Sequence, residues 1–413
     1  MKKVLILTVT AGGGHNACAA AMKKLLESRG VQVHVSDIVN EFSTPMKKFV
    51  TDKGYSIAVA SLPRTYKKFY DKYRAADPSN RYKCPSQDTV ISVLNGVLKT
   101  IAECKPDVIF CTHFYGAIAV TDLKLFCNIP CISIASCLDF VNSPFWEAGI
   151  GVDYLTVSNT DFIDVFMSRG FERSQLLPFG IPSQTIPENL DKNEIKRQLC
   201  LDESHLTALV MYGGGYWKGG YKLLQELLVA TKGKNVQIII INGKDKGSYN
   251  KIERLKKRLP NLKIVNVGFT REVYRYLAVS DFAVTKCGGV SSSEMVGAGL
   301  PMIVTEKIPA QELYNLRYLS EKGFALSFKN RAELKEIIDK IYADPNVLLQ
   351  MRESGKKLRA LQEDGVNSLA EFILSQQEAD YSNFKLPDLK KVKSLAKKAL
   401  NTAYNNDKNT VHH

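Results

Sequence analysis

Residues 2–20 read KKVLILTVTAGGGHNACAA, and this stretch predicts the fold. The apolar run VLIL has the length and composition of a buried strand, and the three glycines behind it open a helix that we expect over 15–29. A second glycine turn, YGGGYWKGG at 212–220, follows the apolar run LTALVMY in the other half of the chain. Such turns are typical of doubly wound α/β sheets, and two of them predict two sheets.

Strands alternate with helices behind both turns, as in parallel sheets that carry helices on both faces. The alternation stops at LLPFGIPSQTIPENL (176–190), which contains three prolines. For this α/β chain we predict a Rossmann-like domain over 1–182 and a second over 183–375, facing each other across a cleft. Residues 376–413 form a basic tail with an amphipathic pattern, which fits either a plain surface helix or a membrane-surface helix.

The composition limits the class of protein. The 413 residues carry a formal net charge of +14, and 45% hydrophobic with 24% charged residues is typical of a soluble globular chain. We find no apolar run long enough for a bilayer and no signal-peptide pattern, so we expect a cytoplasmic protein. The nine cysteines show neither C-x-x-C pairs nor zinc-ligand spacing, which favours reduced thiols over disulfides or a metal site.

The positive charge is concentrated in residues 41–83, where ten Lys or Arg stand against four acidic residues, among tyrosines and phenylalanines. Lysine and arginine attract anionic lipid headgroups, and aromatic rings lie at the membrane interface. We therefore expect this basic aromatic segment to dock on a membrane. Single-stranded nucleic acid also suits basic and aromatic residues, but no RNA-binding motif accompanies them.

His15 falls in the first turn of the first predicted helix. The stretch AGGGHN is neither a dinucleotide fingerprint nor a P-loop, because the glycines are not spaced as G-x-G-x-x-G and no Gly-Lys-Ser/Thr follows. The positive end of the helix dipole disfavours the imidazolium form, so His15 should be neutral, as a general base requires. A histidine that only caps its own helix is the alternative.

The strongest functional signal is TKCGGVSSSEMVGAGLPMIVTEKIPAQELYN at 285–315. A strand ends at Lys286, and the glycines behind it open a helix whose free N–H groups would bind a diphosphate. The residues suited to a nucleotide sugar are Gly288, Gly289 and Ser291 for the diphosphate, Glu294 for the ribose, and Gln311, Glu312 and Asn315 for the sugar.

These motifs together resemble the monogalactosyldiacylglycerol synthase and diacylglycerol glucosyltransferase group of glycosyltransferase family 28, whose GT-B fold has two facing Rossmann-like domains. The resemblance rests on GGGHN, the basic aromatic segment, DFVNSPFWE (139–147), GIP (180–182), and G-G-x-S-x-x-E followed by Q-E-x-x-N. It covers about residues 1–375. Cys287 stands where many relatives have proline, and Asn142–Ser143 where some have histidine.

The resemblance implies roles for individual residues. His15 would deprotonate the acceptor hydroxyl, and Asp139 would orient His15 or the acceptor, or only cap its loop. The turn at 268–270 would read uracil. The further donor residues it implies are Gly214, Phe269 and Thr270, and the acceptor and membrane residues are Gly13, Gly14, Lys67, Lys68, Tyr70 and Trp146.

The resemblance also implies an activity. The enzyme would be an inverting, membrane-associated glycosyltransferase that moves glucose or galactose from a UDP-sugar to diacylglycerol and gives a β-glycolipid. We expect no metal or other cofactor, because an Asp-x-Asp motif is missing. The implied partners are UDP-glucose or UDP-galactose, diacylglycerol and the anionic inner face of the cell membrane, with no nucleic acid and the oligomeric state left open.

Three other functions keep the same donor site. One is a transferase that acts on a polyprenyl-linked wall precursor, and another is a UDP-sugar 2-epimerase, which would not need the basic aromatic segment. A catalytically idle sugar-nucleotide sensor is the alternative that is not an enzyme. The sequence also leaves the choice between glucose and galactose open.

Overall fold

The computed structural model describes residues 1–10, 13–41, 63–75, 87–212, 219–362 and 365–410. The chain divides into two compact units. The first unit comprises Met1–Ala11, His15–Pro182 and Gln362–His413, and the second comprises Gly12–Gly14 and Ser183–Leu361. Most of the basic aromatic segment, and Gly214 in the second glycine turn, lie outside the described residues.

A six-stranded parallel sheet in the order β2-β1-β3-β4-β5-β6 forms the centre of the first unit. The strands are β1 Lys3–Thr8, β2 Gln32–Asp37, β3 Val108–Cys111, β4 Ile132–Ser136, β5 Tyr154–Thr156 and β6 Leu176–Leu177. Residues 4–7 of β1 are buried on both faces of the sheet, which explains why this strand is a continuous apolar run.

The helices of this unit before residue 182 include the one expected over 15–29, which runs over Gly13–Ser28. They are α1 Gly13–Ser28, α2 Pro63–Arg74, α3 Gln87–Cys104, α4 Phe114–Cys127 and the short α5 Ile163–Met167. On α1, Cys18, Met22 and Leu26 are buried at intervals of four residues, so one stripe of the helix packs on the unit.

The second unit contains another six-stranded parallel sheet, in the order β12-β11-β10-β7-β8-β9. The strands are β7 Leu206–Met211, β8 Val236–Ile241, β9 Ile264–Val267, β10 Phe282–Thr285, β11 Met302–Thr305 and β12 Ala325–Phe328. The helices are α6 Lys192–Gln198, α7 Gly220–Ala230, α8 Lys246–Arg258, α9 Val273–Ala278, α10 Gly289–Ala298, α11 Ala310–Glu321, α12 Arg331–Ala343 and α13 Asn346–Ala360.

An apolar cluster packs on this second sheet. Val210 and Ile240 from the strands pack with Leu224 of α7 and Leu334 of α12, and all four side chains are buried. Burying an aliphatic side chain of this size contributes about 1.5–3 kcal/mol relative to leaving it exposed. The predicted α/β class and its two separate parallel sheets are confirmed.

The last helices, α14 Gly365–Ser375 and α15 Leu389–Thr410, belong to the first unit. Lys2 Nζ donates to the carbonyl of Leu374 at 2.7 Å, at the end of α14. The Asp107 carboxylate accepts from the backbone N–H of Ala379 at 2.9 Å. The sequence predicts α14 in the second domain and residues 376–413 as a separate tail, whereas these bonds join both segments to the first unit.

The basic tail packs on the first unit through part of its apolar face. Val392 and Ala396 of α15 are buried, and Lys393 Nζ donates to the carbonyl of Ser92 on α3 at 3.3 Å. These contacts agree with the surface-helix alternative. Within the described ranges, we find no helix with the length and apolar character that a membrane crossing requires.

Candidate active site

Polar side chains gather at one edge of each sheet. In the first sheet β1 pairs with β3, and in the second sheet β7 pairs with β10, so the chain winds away from each pair in opposite directions. Ligands of open α/β sheets bind outside the carboxyl ends of the strands at such a switch point. His15 follows β1 and Lys286 follows β10, so each lies at the switch point of its own sheet.

The carbonyl that follows β3 positions His15. Helix α1 opens with Gly13 and Gly14, which places His15 in its first turn. The Nδ1 atom of His15 lies 2.6 Å from the carbonyl oxygen of Thr112. Because a carbonyl only accepts, Nδ1 carries the proton and Nε2 keeps its lone pair. His15 therefore has the tautomer that a base acting through Nε2 requires.

Burial keeps His15 neutral. Desolvation lowers the pKa of His15, and the hydrogen bond to Thr112 opposes this shift only in part. The sequence predicted a neutral imidazole from the helix dipole, and the structure supplies burial as the cause. The protonated form is disfavoured, so the ring is ready to accept a proton at neutral pH.

A second histidine lies against the first. The rings of His15 and His113 meet edge to face, with their centroids 4.6 Å apart. His113 Nδ1 accepts from the backbone N–H of Tyr115 at 3.0 Å and so caps α4, which leaves the proton on Nε2. Burial, and then the neighbouring His15, hold the pKa of His113 well below its usual value.

A chain of hydroxyls and an amide supports the Thr112 carbonyl. Thr112 Oγ1 donates to Thr8 Oγ1 at 3.0 Å, Thr8 donates to Asn16 Oδ1 at 3.1 Å, and Asn16 Nδ2 donates to Thr10 Oγ1 at 3.2 Å. These bonds tie the end of β3 to the loop after β1 and to the first turn of α1. They fix the two segments that hold His15.

Asp139 lies in the loop after β4. Its charge adds to burial in raising the pKa of the Tyr70 hydroxyl on α2, and its backbone carbonyl accepts from the Cys137 thiol at 3.8 Å. His15 is oriented by the hydrogen bond that its Nδ1 donates to the Thr112 carbonyl. A role for Asp139 toward the acceptor stays a prediction.

Aromatic rings join α2 to α4. Phe145 stacks on Phe114 with a centroid distance of 5.1 Å, and Tyr70 meets Phe145 edge-on at 6.0 Å. Trp146 meets Phe114 in the same way at 6.3 Å. Tyr70 and Trp146 were predicted at the acceptor or membrane, but they are only 1% and 3% exposed. They instead fasten α2 and the loop 139–147 to α4.

The described part of the basic aromatic segment is α2 with its next residue. Lys68, Phe69 and Lys72 are exposed on α2, while Lys67 pairs with Asp71 one turn further along. The exposed surface of this helix therefore carries two cations and an aromatic ring.

Helix α10 presents a free N-terminus. Its N-cap, Gly288, has no side chain to satisfy the first turn. The backbone N–H of Ser292 donates to the Gly288 carbonyl at 2.9 Å, so the N–H groups of Gly289, Val290 and Ser291 precede the intrahelical bonds. Such N–H groups and the helix dipole bind anions, and phosphate in particular.

Glu294 lies one turn further along α10. Burial raises the pKa of its carboxyl to about 7, and a hydrogen bond from the Gln184 backbone offsets this in part. Next to it, Ser183 Oγ donates to Ser293 Oγ at 3.3 Å. Glu294 is thus a carboxylic acid below neutral pH and a carboxylate above it.

Lys286 and Glu312 form an ion pair beside the start of α10. Glu312 is in the first turn of α11, next to the half-buried Gln311. Asn315, one turn on, is completely buried, and its Nδ2 donates to the Cys287 carbonyl at 3.1 Å. This bond holds the loop before α10, and the predicted contact of Asn315 with a sugar stays a prediction.

The turn predicted to read uracil follows β9. Phe269 is 62% exposed, and Lys244 Nζ lies over its ring at 5.9 Å from the centroid. Thr270 Oγ1 accepts from the backbone N–H of Glu272 at 3.0 Å, just before α9. The contact with uracil, like that of Gly214, stays a prediction.

Sequence reasoning missed two of these residues, His113 and Lys286. Each lies directly behind a strand that borders a switch point, β3 or β10. That position was the available signal, but it needs the strand order, which the sequence does not contain. In the described ranges no group of three or more His, Cys, Asp or Glu side chains is arranged to hold a metal ion.

Residues 15–183 match the family model for monogalactosyldiacylglycerol (MGDG) synthase. This match begins at His15 and covers strands β2 to β6 of the first sheet. A processive diacylglycerol β-glucosyltransferase of Staphylococcus epidermidis is 28% identical over 328 residues, which are 78% of this chain and 80% of that protein. Over most of its length the chain is similar to this group of glycosyltransferases.

Solved structures share the fold of this chain. The glycotransferase of kitacinnamycin aligns with a TM-score of 0.60 at 14% identity and covers 91% of this chain and 98% of its own. HepE of Anabaena, solved in complex with UDP, aligns with a TM-score of 0.53 at 13% identity and covers 91% of this chain and 100% of its own. The predicted GT-B fold is confirmed.

Proposed function

We propose that this glycosyltransferase moves a hexose from a UDP-sugar to the free hydroxyl of diacylglycerol and inverts the anomeric configuration, which gives a β-glycolipid. The acceptor follows from the S. epidermidis relative, whose name states transfer of glucose to diacylglycerol. The proposal includes both glucose and galactose, because the family model is named for a galactolipid and the relative for a glucosyltransferase.

The observation that carries the proposal is the state of His15. Its Nδ1 proton is engaged by Thr112 and burial keeps the ring neutral, so Nε2 is the basic atom. In the proposed step the acceptor oxygen attacks the anomeric carbon as its proton passes to Nε2. The bond from that carbon to the diphosphate breaks, and UDP leaves with its electron pair. A positioned base contributes about 10²–10⁴-fold to such a step.

The second unit supplies the proposed donor site. The free N–H groups at the start of α10 would hold the diphosphate and stabilise the charge that develops on it. Glu294, as a carboxylate, would accept from the ribose hydroxyls. UDP as the donor nucleotide is supported by HepE, a neighbour of the same fold that was solved with UDP.

The exposed side of α2 supports attachment to an anionic membrane. Lys68 and Lys72 are exposed with Phe69 between them, and each lysine near an anionic surface contributes about 1 kcal/mol to binding. An enzyme that uses diacylglycerol must reach a bilayer, because the acceptor does not leave it. We propose that α2 makes this contact on the inner face of the cell membrane.

A panel of donors and acceptors tests the proposal. The protein is mixed with vesicles of phosphatidylglycerol and phosphatidylethanolamine, with or without diacylglycerol, and with one UDP-sugar at a time. We expect a hexosyl-diacylglycerol by mass spectrometry with UDP-glucose or UDP-galactose, and UDP release that depends on diacylglycerol. Release of UDP at the same rate without lipid, or conversion of the UDP-sugar to an epimer, would overturn the lipid acceptor.

The same vesicles test the membrane contact. Replacing Lys68 and Lys72 by Gln should weaken sedimentation with anionic vesicles by roughly 30-fold, from about 1 kcal/mol for each lysine. The matched control replaces Lys257 and Arg258, two exposed cations of α8, and changes the net charge equally. Equal losses in both double variants would show that net charge alone, and not α2, attracts the protein to vesicles.

A further inference from the structure

Lys286 is a cation at the place where the proposed donor diphosphate would lie. It directly follows β10 and precedes the glycines that open α10. Its side chain is only 13% exposed and pairs with the Glu312 side chain, which is 9% exposed. A lysine that is this buried needs a partner, because an unpaired ammonium would lose its hydration without compensation.

The ion pair lies against the backbone at the N-terminus of α10. A Cβ atom built on Gly288 would come within 2.9 Å of Lys286 Nζ and 3.5 Å of Glu312 Oε1. Any side chain at residue 288 would push the lysine away, so glycine here leaves room for the ammonium beside the helix start. The ammonium therefore lies beside the backbone at the start of α10.

Glu312 is only half satisfied by this pair. Its Oε1 binds Lys286, but its Oε2 is buried without a hydrogen-bond partner, in a residue that is 7% exposed overall. A buried polar atom without a partner is costly, and in native proteins it often marks a place that is completed by a ligand. The missing partner of Oε2 is a donor such as a sugar hydroxyl.

The negative charge of Glu312 also acts on Tyr212. Burial and then the Glu312 carboxylate raise the pKa of Tyr212 to about 12. Tyr212 directly follows β7, and its hydroxyl donates to the Lys307 carbonyl at 3.3 Å. A carboxylate beside a diphosphate would repel it unless a cation lies between the two groups.

We propose that Lys286 is the cationic residue of the diphosphate subsite, and that donor binding draws its ammonium from Glu312 to the phosphate oxygens. The diphosphate carries more negative charge than one carboxylate, and lysine has three N–H donors with which to follow it. Glu312 then has both oxygens available for hydroxyls of the hexose. Lys286 keeps its proton throughout and only stabilises the departing UDP.

This inference rests on the proposed function, because it assumes a UDP-linked hexose. The movement of Lys286 would also connect the two parts of the donor, the diphosphate and the hexose. The phosphates would draw Lys286 away from Glu312, and Glu312 would then bind hydroxyls of the hexose. Changes at Lys286 and at Glu312 should therefore affect the binding of UDP and of UDP-hexose differently. Lys286 is thus a binding residue for the leaving group, and Glu312 is a specificity residue for the sugar.

Calorimetric titration with UDP and with uridine tests the exchange, since uridine lacks the phosphates. Lys286→Met should weaken UDP binding by about tenfold or more, as expected for losing one charge-assisted bond, and leave uridine binding within about twofold. Lys286→Arg should restore most of the affinity for UDP. Glu312→Gln should bind UDP as tightly as the wild type or tighter, and raise the KM for UDP-hexose.

Lys234 provides the matched control. It lies in the same unit, is 14% exposed and pairs with Asp339 at 2.7 Å. Lys234→Met should leave the affinity for UDP unchanged. Thermal unfolding of all four variants separates loss of the site from loss of the fold, and Lys286→Arg keeps the charge if the methionine variant does not fold.

Three results would overturn the exchange. Lys286→Met could weaken UDP and uridine equally, Glu312→Gln could weaken UDP as much as Lys286→Met does, or Lys286→Met could bind UDP normally. A wild-type protein that binds UDP no better than uridine would remove the donor assignment and this inference together. If the titrations follow the expectation but diacylglycerol is not glycosylated, only the proposed acceptor fails.

Discussion

The two sheets have the same doubly wound topology but carry opposite chemistry at their switch points. Behind β1 and β3 the first unit buries two neutral histidines, His15 and His113. Behind β10 the second unit holds an ion pair, a free helix N-terminus and a carboxyl group whose pKa is raised to about 7. In the proposed function, the first switch point accepts a proton and the second holds the diphosphate.

The difference shows that topology decides where each site lies, whereas the side chains decide its chemistry. Strand order places a site outside the carboxyl ends of β1 and β3, and equally outside those of β7 and β10. Burial without a nearby charge then makes an imidazole neutral, whereas burial next to free N–H groups and a lysine makes an anion site. Variants at each switch point would show whether proton transfer at the first and anion binding at the second are independent.

The largest effect is expected at the first switch point. His15→Ala should lower kcat by about 100-fold or more, because it removes the base, and should leave UDP affinity within about twofold. Turnover with vesicles and calorimetry with UDP measure the two quantities. His34, which is exposed on β2, gives the control His34→Ala. Near-normal turnover of His15→Ala would reduce this residue to a helix cap.

The second switch point should respond in binding. Asn315→Ala removes the bond to the Cys287 carbonyl, and losing a buried hydrogen bond of this kind costs about 1–3 kcal/mol. We expect UDP affinity to fall by about tenfold while the pH dependence of turnover stays unchanged. Asn193→Ala, at an exposed site on α6, is the control. A normal affinity for UDP in Asn315→Ala would mean that the loop before α10 holds its shape without this amide.

His113 should set the acid limit of activity. His113→Asn keeps the cap on α4, because Asn is a good N-cap residue, but it removes the buried imidazole next to His15. The pKa of His15 should then rise, because burial lowers it and the smaller Asn side chain leaves the His15 ring less buried. Turnover depends on neutral His15, so activity should be lost at a higher pH as the pH falls.

The measurement for His113 is kcat/KM between pH 5 and pH 8 for both proteins. The acid limb should move toward pH 6.5, the ordinary pKa of histidine, and turnover at pH 8 should change little. An acid limb that stays in place, or moves to lower pH, would show that His113 does not lower the pKa of His15.

The smallest effect concerns stability. The Glu294 pKa is raised to about 7 in the folded protein, so ionisation above that pH costs folding free energy, while below the ordinary pKa of glutamate the group is neutral in both states. Glu294→Gln should therefore raise the Tm by a few degrees at pH 8 and leave it unchanged at pH 4. Glu321→Gln, exposed at the end of α11, should change neither value. A Tm gain that is equal at both pH values would contradict the burial of a charge.

Much of the fold could be read from the sequence, because each buried parallel strand is a short apolar run between glycine or polar turns. The runs that became β1, β7 and β8 show this most clearly. The two-residue strand β6 gives no such signal. The return of α14 to the first unit also depends on single long-range bonds, such as that from Lys2 to Leu374.

The candidate site could be predicted only in part. Glycines before a helix and the polar run at 285–315 pointed to His15 and to the start of α10. The rest depends on three-dimensional contacts: Tyr70 and Asn315 make structural contacts, His113 lies against His15, and Lys286 pairs with Glu312. Neither burial nor the pairing of Lys286 with Glu312 follows from spacing along the chain.

The stereochemistry of one turnover tests the central claim most directly. The protein is incubated with UDP-glucose or UDP-galactose and vesicles that contain diacylglycerol, and the anomeric proton of the extracted glycolipid is assigned by NMR. Direct attack by an acceptor that His15 deprotonates predicts a hexosyl-diacylglycerol with the β configuration only. An α-linked product, or a hexose found only in water-soluble products, would contradict the account.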